Sequence, residues 1–531
     1  MGVVSNLIVT KILQNVIDHM KFHLNEKSTL SFIQEFYFIC HEWTESILKK
    51  KIVYKKVTIY SEEDLLEYER IYKLGFHNIN VIFKYYGKDL PVKTLSQILP
   101  NIVKMKNYKL PLEFSDNGTK YQFTPRYIAT TKRDYLIALK KGKLFDRFPN
   151  IKKLSLICPS NYVDEDEEFE DIYRFDIDGV TQVPEHVHLD GFDEFTHQLN
   201  GLDIFESWNG SLKSLKISGI TVESYDDLCI DLQQCKSITK LNLNIDNDEN
   251  KSNLNVLFHL FGKLPNLQKL VLNPHIPESY VSAFKFIEFI LTHHNITDIS
   301  LFNVDVKEDG KYANQLDTPL ANHKQSLKKI RMVNAKVPLE NMGMKKIMES
   351  LDFIKLQECS WETMYANSNP IMDMSKVKSD LSVYNREQVQ WFVLSNPLQW
   401  TITTLDIQEY SNGHHLTDIF NKNLPSLTNI HFPIDELENT CKQQLLEAIV
   451  ANKYVTSIKI RFTNDKIIAL EILETILKKP QIKHLSVRES IFIDREKICN
   501  LLETAQYLQH FQYDGRRSGN IQSQIKKLHL D

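Results

Sequence analysis

The chain has 531 residues, 25% of them charged, with 64 Lys+Arg set against 68 Asp+Glu for a formal net charge of −4. That balance excludes the global field that draws a protein onto nucleic acid or a membrane surface. Only 16 glycines leave little material for phosphate-cradling loops, and the seven cysteines are scattered without a C-x-x-C pair. No run of about 18 apolar residues offers a membrane span, so the expectation is an intracellular protein, cytoplasmic or nuclear, that uses no cofactor and no metal.

Residues 1–50 stand apart because their apolar spacing is helical throughout. Leu7, Ile8, Ile12, Leu13, Val16, Ile17 and Met20 make one stripe, and Leu30, Ile33, Phe36, Tyr37, Cys40, Trp43 and Ile47 make a second. The spacing predicts two or three short helices, and a bundle so small needs a partner or a neighbouring domain to bury its apolar faces. From residue 51 a weak periodicity begins with Tyr54/Val57/Ile59, then Val81 and Phe83, then Ile102/Met105. Between them Ser61 and Asp64 have the spacing of a capping box, opening a helix through Leu65, Leu66 and Ile71. Residues 107–147 yield no reading.

Beyond residue 148 one frame dominates. In Lys263-Leu264-Pro265-Asn266-Leu267-Gln268-Lys269-Leu270-Val271-Leu272, apolar residues stand at frame positions 1, 4 and 6, namely Leu267, Leu270 and Leu272. The frame recurs as Ile151/Leu154/Leu156, Leu212/Leu215/Ile217, Ile238/Leu241/Leu243, Ile296/Ile299/Leu301, Leu327/Ile330/Met332 and Leu351/Ile354/Leu356. It continues as Ile402/Leu405/Ile407, Leu427/Ile430/Phe432, Val455/Ile458/Ile460, Ile482/Leu485/Val487 and Leu508/Phe511/Tyr513. Nine of the eleven gaps between starts fall between 24 and 31 residues, and the other two, 61 and 51, are about two periods long. Between frames, Ser279 to Leu291 and Asp465 to Leu477 read as helices that return the chain to the next strand. The first long gap carries seven acidic residues in eight from Asp164 to Asp171, which reads as a solvated inserted loop, an acidic lure for a basic partner or a self-masking arm. The second holds Trp361, Trp391 and Trp400 and reads as an ordered excursion.

No nucleophile, base or metal constellation declares itself, so no catalytic residue is assigned. His186-Val187-His188 with Asp190 lacks a further ligand at a characteristic spacing, and His293-His294 and His414-His415 read as surface pairs. Strand alternation gives a sharper expectation. With positions 4 and 6 inward, positions 3, 5 and 7 face solvent. They hold ten bases, Lys153, Lys216, Lys240, Lys269, Lys329, Arg331, Lys355, Lys459, Arg461 and Arg488, against three acids, Asp298, Asp406 and Asp514. Such a face suits an acidic or phosphorylated polypeptide; the alternative is ordinary solvent-facing lysine balanced by acids elsewhere. A nucleic-acid track is disfavoured because no exposed aromatic column runs between the bases.

The repeated frame resembles leucine-rich repeats. Most copies lack the Asn or Cys that the family sets three residues after the last frame residue, though Cys359 stands there, and Cys235 resembles the cysteine preceding the strand in cysteine-containing repeats. Leu7-Ile8, Ile12-Leu13, Ile17 and Ile39-Cys40-His41-Glu42-Trp43 resemble an F-box, with Ile8 where the family has Pro. The resemblance implies an α/β fold, a leucine-rich-repeat solenoid (horseshoe) preceded by a small N-terminal helical F-box-like module. Residues 1–50 form the module, 51–147 degenerate early repeats, 148–515 the solenoid with excursions at 157–211 and 357–401, and 516–531 a polar tail. It further implies the substrate-recognition subunit of a cullin-RING ubiquitin ligase. Leu7, Ile8, Ile12, Leu13, Ile17, Ile39, Cys40 and Trp43 would dock the ligase adaptor and the repeats would hold an unknown protein target. The alternative is a non-enzymatic interaction scaffold in which residues 1–50 only cap the first repeat.

Overall fold

The computed structural model describes residues 54–59, 61–74, 79–83, 102–106, 115–116, 119–120, 127–130, 152–157, 184–190, 210–220, 232–233, 235–246, 253–275, 279–307, 326–336, 342–357, 359, 377–383, 401–408, 413–434, 439–462, 466–489, 495–505 and 507–514. The helical module expected at 1–50, the acidic run at 164–171 and the three tryptophans of the second long gap lie outside these residues. The architecture is mixed α/β, dominated by long parallel β-structure with few helices, and no pairing among the described strands closes a barrel. The chain divides into two compact units, Met1–Asp246 with Lys263–Leu267, and Asn247–Gly262 with Gln268–Asp531.

In the first unit the strands are β1 (Tyr54–Ile59), β2 (Ile79–Phe83), β3 (Ile102–Lys106), β4 (Ser115–Asp116), β5 (Thr119–Lys120), β6 (Tyr127–Thr130), β7 (Lys153–Ile157), β8 (His186–Asp190), β9 (Ser214–Ile220) and β10 (Lys240–Ile245). β4 and β5 form a short antiparallel hairpin. The others pair in parallel, each with the next in chain order. Helix α1 (Glu62–Lys73) begins where the sequence places its capping box: Ser61 N donates to Asp64 Oδ2 at 3.1 Å and Asp64 N to Ser61 Oγ at 3.2 Å. Its buried face is Leu65 and Tyr68, whereas Leu66 is exposed, so Leu66 does not belong to the apolar stripe.

In the second unit the strands are β11 (Lys269–Pro274), β12 (Ser279–Ser282), β13 (Asp298–Phe302), β14 (Val304–Lys307), β15 (Lys329–Val333), β16 (Phe353–Gln357), β17 (Lys378–Val383), β18 (Thr401–Ile407), β19 (Asn429–Ile434), β20 (Ser457–Phe462), β21 (His484–Glu489) and β22 (His510–Asp514). β12 and β14 pair with each other, Tyr280 of β12 also bridging to Asn253, and the rest form one parallel ladder in chain order. Parallel neighbours need a crossover. Helices supply many of them: α2 (Asn255–Phe261), α3 (Ala283–Thr292), α4 (Met342–Glu349), α5 (Gly413–Asn421), α6 (Asn439–Ala451), α7 (Lys466–Leu477) and α8 (Arg495–Thr504). The segment expected to be helical from Ser279 starts instead as β12, and α3 begins after Ser282, whose hydroxyl accepts from Lys285 N at 3.1 Å as an N-cap.

The core lies between strands and helices. From Leu212 to Tyr513, every residue at frame positions 1, 4 and 6 is buried, each Leu or Ile contributing about 1.5–3 kcal/mol. Helices meet this layer edge to face, as where Phe420 of α5 stands 5.9 Å from Phe432 of β19. Both long gaps contain a further ladder strand. Pro184, just before β8, and Val187 and Leu189 within it are buried at positions 1, 4 and 6; β17 buries Ser379 and Leu381 at positions 4 and 6. The excursions at 157–211 and 357–401 are therefore each interrupted by a strand of the repeat.

Backbone bonding at position 2 sets the register. Its carbonyl accepts both N–H groups at positions 2 and 3 of the following strand: Lys213 O from Thr239 and Lys240, Gln268 O from Thr297 and Asp298, Thr428 O from Thr456 and Ser457, and Lys483 O from Gln509 and His510. Threonine hydroxyls at position 2 join this bonding, Thr239 Oγ1 to Lys213 O at 3.0 Å and Thr297 Oγ1 to Gln268 O at 3.1 Å. Asparagines stand two residues after the last frame residue of β13 and β15. Asn303 and Asn334, at φ 56 and 50, occupy the left-handed turn after β13 and β15. Asn303 Nδ2 donates to Pro274 O at 2.8 Å and Asn334 Nδ2 to Asn303 Oδ1 at 2.7 Å. Cys359 is buried and its thiol donates to Met332 O at 3.4 Å.

Candidate functional site: the outward strand face

The ten bases assigned to positions 3, 5 and 7 lie on strands of the two ladders. Lys153, Lys240, Lys269, Lys329, Arg331, Lys459 and Arg488 are exposed, and Lys216, Lys355 and Arg461 are partly so. They are not one uniform field, because the strands found inside the long gaps bring acids that the frame alone had missed. β8 adds Asp190 and β17 adds Asp380, together with one more exposed base, Lys378.

In the first unit the outward face is largely neutral and bonded to itself. His188 Nδ1 lies 3.2 Å from Ser155 Oγ and its Nε2 lies 3.5 Å from Ser218 Oγ, while Asn244 Nδ2 donates to Ser218 Oγ at 3.0 Å. The network spans β7, β8, β9 and β10. Burial, reinforced by the Lys216 ammonium and opposed by Asp190, pushes the His188 imidazolium below the ordinary histidine range. His186 is lowered by burial too, with Lys153 adding to it. At the edge of this face Glu185 is held low by Lys213, 3.4 Å away, and Lys152, 3.7 Å away.

The face of β11–β22 carries charges in blocks. Lys269 lies 3.9 Å from Asp298 on the next strand. Lys329 and Arg331 follow on β15, Lys355 on β16 and Lys378 on β17. Arg331 lies over the Phe302 ring at 4.9 Å, a cation–π contact that fixes its heading. Asp380 and Asp406 come next, on β17 and β18: Thr403 Oγ1 donates to Asp380 Oδ1 at 2.8 Å and Gln408 Nε2 to Asp406 Oδ2 at 2.6 Å. His431 on β19 stands 3.9 Å from Asp406, and burial lowers its imidazolium although Asp406 opposes this. Lys459 and Arg461 on β20 and Arg488 on β21 form a second basic block, with Arg461 Nη2 donating to Gln408 O at 3.2 Å.

Other candidates resolve into structural roles. His293 is buried, its ring 5.3 Å from that of Phe289, so it is no surface residue. His414 Nε2 lies 3.0 Å from the Cys441 thiol, where α5 and α6 begin side by side. His186, His188 and Asp190 share the outward face of β8, yet among the described residues no three His, Cys, Asp or Glu converge as a metal-ligand group. Lys479 fills the buried place three residues before a frame start that Cys235, Leu264, Leu424 and Ala505 fill elsewhere. Its ammonium donates to the carbonyls of Ile449, of Val450 at 2.7 Å and of Asn452 at 2.7 Å, at the end of α6, while burial pushes its pKa down to about 8. The adaptor-docking set, Leu7, Ile8, Ile12, Leu13, Ile17, Ile39, Cys40 and Trp43, lies outside the described residues.

The sequence matches no protein-family model, and no curated protein matches it. Among the described residues no helix is long and apolar enough to cross a membrane.

Proposed function

We propose that the chain is a repeat protein of the leucine-rich-repeat solenoid type that holds an acidic polypeptide partner on its outward strand face and performs no chemistry of its own. The observation that supports this most directly is register. Positions 1, 4 and 6 are spent on the core, which leaves on the described strands of each unit a row of outward side chains, and over the two units bases outnumber acids in a chain of net charge −4. Side chains presented at strand spacing by a rigid ladder suit an extended partner, because little conformational freedom is lost by the receptor on binding. The test is fluorescence anisotropy of a labelled acidic peptide with the full chain and with its Lys329→Glu, Arg331→Glu, Lys355→Glu triple variant. Binding that the triple variant loses upholds the reading, and equal binding by both overturns it.

A ligase role would specialise this reading, and its support is the match of Leu7, Ile8, Ile12, Leu13, Ile17, Ile39, Cys40 and Trp43 to the F-box pattern. In that case residues 1–50 dock the adaptor and the partner held by the strands is a target for ubiquitination. A pull-down of recombinant adaptor by the full chain, with Leu13→Ala plus Trp43→Ala as control, decides it. Capture that the folded variant loses supports the receptor; no capture by the folded parent removes it and leaves the scaffold with a helical N-terminal cap.

A further inference from the structure

The charges of the second unit's outward face come in an order that selects among acidic partners. Lys329, Arg331 and Lys355 form a basic block on β15 and β16; β17 carries Lys378 at its start and then Asp380, and Asp406 follows on β18; Lys459, Arg461 and Arg488 close the series on β20 and β21. Register places Lys355 beside Asp380, and Asp406 beside His431, which neighbours Lys459. Both carboxylates are oriented by neutral donors, the Thr403 hydroxyl and the Gln408 amide. Among the described residues no lysine or arginine nitrogen lies within 4.0 Å of either. Both are partly exposed in the middle of the face, and Asp406 Oδ1 also lies 3.9 Å from His431 Nδ1.

We infer that this face takes an extended peptide whose charges run acid, base, acid, with the two acids about six residues apart. The inference rests on the proposed binding role of the strand face and states what that face selects. Strands about 4.8 Å apart put β16 and β20 roughly 19 Å from one another, which an extended peptide spans in about six residues at ~3.3 Å each. A peptide acid crossing β17 and β18 meets Asp380 and Asp406 and loses affinity through like-charge repulsion, whereas a lysine there gains an ion pair. The stacking of Arg331 on Phe302 and the bond from Arg461 to Gln408 O hold one cation of each basic block in place beforehand.

The experiment uses the full chain and three labelled peptides of equal length, each with two glutamates six residues apart and with Lys, Gln or Glu midway between them. Anisotropy at low ionic strength is expected to rank them Lys, Gln, Glu, with the ends of the series at least about tenfold apart. Asp380→Asn with Asp406→Asn keeps both side-chain acceptors and is expected to shrink that difference to about twofold or less, with the circular dichroism spectrum unchanged. A ranking led by the Glu-centred peptide, or a Lys preference untouched by the double variant, overturns the inference while leaving the strand face as a binder of plain acidic segments. Failure of all three peptides to bind overturns the inference and the proposed binding role together.

Discussion

The outward faces of β7–β10 and of β15–β21 sit on ladders of the same kind, with the same buried rows and the same lateral backbone bonds, yet they spend their exposed positions differently. On β7–β10 Ser155, His188, Ser218 and Asn244 hydrogen-bond one another across four strands. On β15–β21 charged residues of both signs stand in alternating blocks among neutral ones. The inward rows therefore carry the fold in both regions, and the outward rows are free to knit themselves together or to present charge. A network satisfied within itself has little left to offer a partner, whereas an exposed charge such as Lys329 or Lys459 can still take one.

Breaking the inward row is expected to have the largest effect and the same effect in both regions. Leu215→Ala on β9 and Ile330→Ala on β15 should each destabilise by about 2–5 kcal/mol in urea unfolding, since both side chains are fully buried. A loss confined to one of them would mean that the two ladders are not built alike.

Next in size is Lys479→Met. Three carbonyls at the end of α6 lose their donor, and the expected cost at pH 7 is about 1–3 kcal/mol. The parent also gains stability relative to this variant as pH rises from about 8 towards the ordinary lysine value of 10.5. In that window the unfolded chain still binds a proton that the folded chain has released. Melting curves of both proteins at pH 7.5 and 9.5 check it.

The charged region separates from the neutral one in binding. Lys329→Glu with Arg331→Glu should weaken an acidic peptide by about tenfold or more while shifting stability by less than about 0.5 kcal/mol. Ser155→Ala, by contrast, should leave binding unchanged. Anisotropy titrations alongside urea curves distinguish the two.

The smallest effect belongs to His188. Its imidazolium is disfavoured in the fold, so acidification below the ordinary histidine range protonates the unfolded chain first, and stability falls as pH drops from about 6.5 towards the lower folded value. His188→Asn removes that part of the loss. Melts at pH 7.5 and 5.5 should show the parent losing slightly more stability than the variant.

Much of this arrangement was legible in the residues. The frame found strand after strand because positions 1, 4 and 6 must be apolar wherever a strand stacks on its neighbours, and the capping box at Ser61 and Asp64 is as local as a signal can be. The frame failed where chemistry replaced an aliphatic side chain without altering burial: Pro184 takes the buried place two residues before β8, and Ser379, fully buried, takes an inward place on β17. The doubled gaps of 61 and 51 residues were the remaining trace of both strands. The recurrent threonine at position 2, as in Thr239, Thr297, Thr403, Thr428 and Thr456, was a further signal, readable only once lateral bonding to the preceding strand is known.

The sequence by itself determined the period, the inward rows and the parallel stacking they enforce, because burial of apolar side chains depends on spacing along the chain. It also determined which residues face outward on each strand that the frame captured. Only the tertiary structure decided what those residues make together. Whether Asp380 interrupts the basic row depends on β17 lying between β16 and β18, and its offset from Asp406 depends on a register shift between Ser379 and Asp380. Charge order across a sheet is set by which strands are neighbours and how they align, and spacing within one strand carries no record of either.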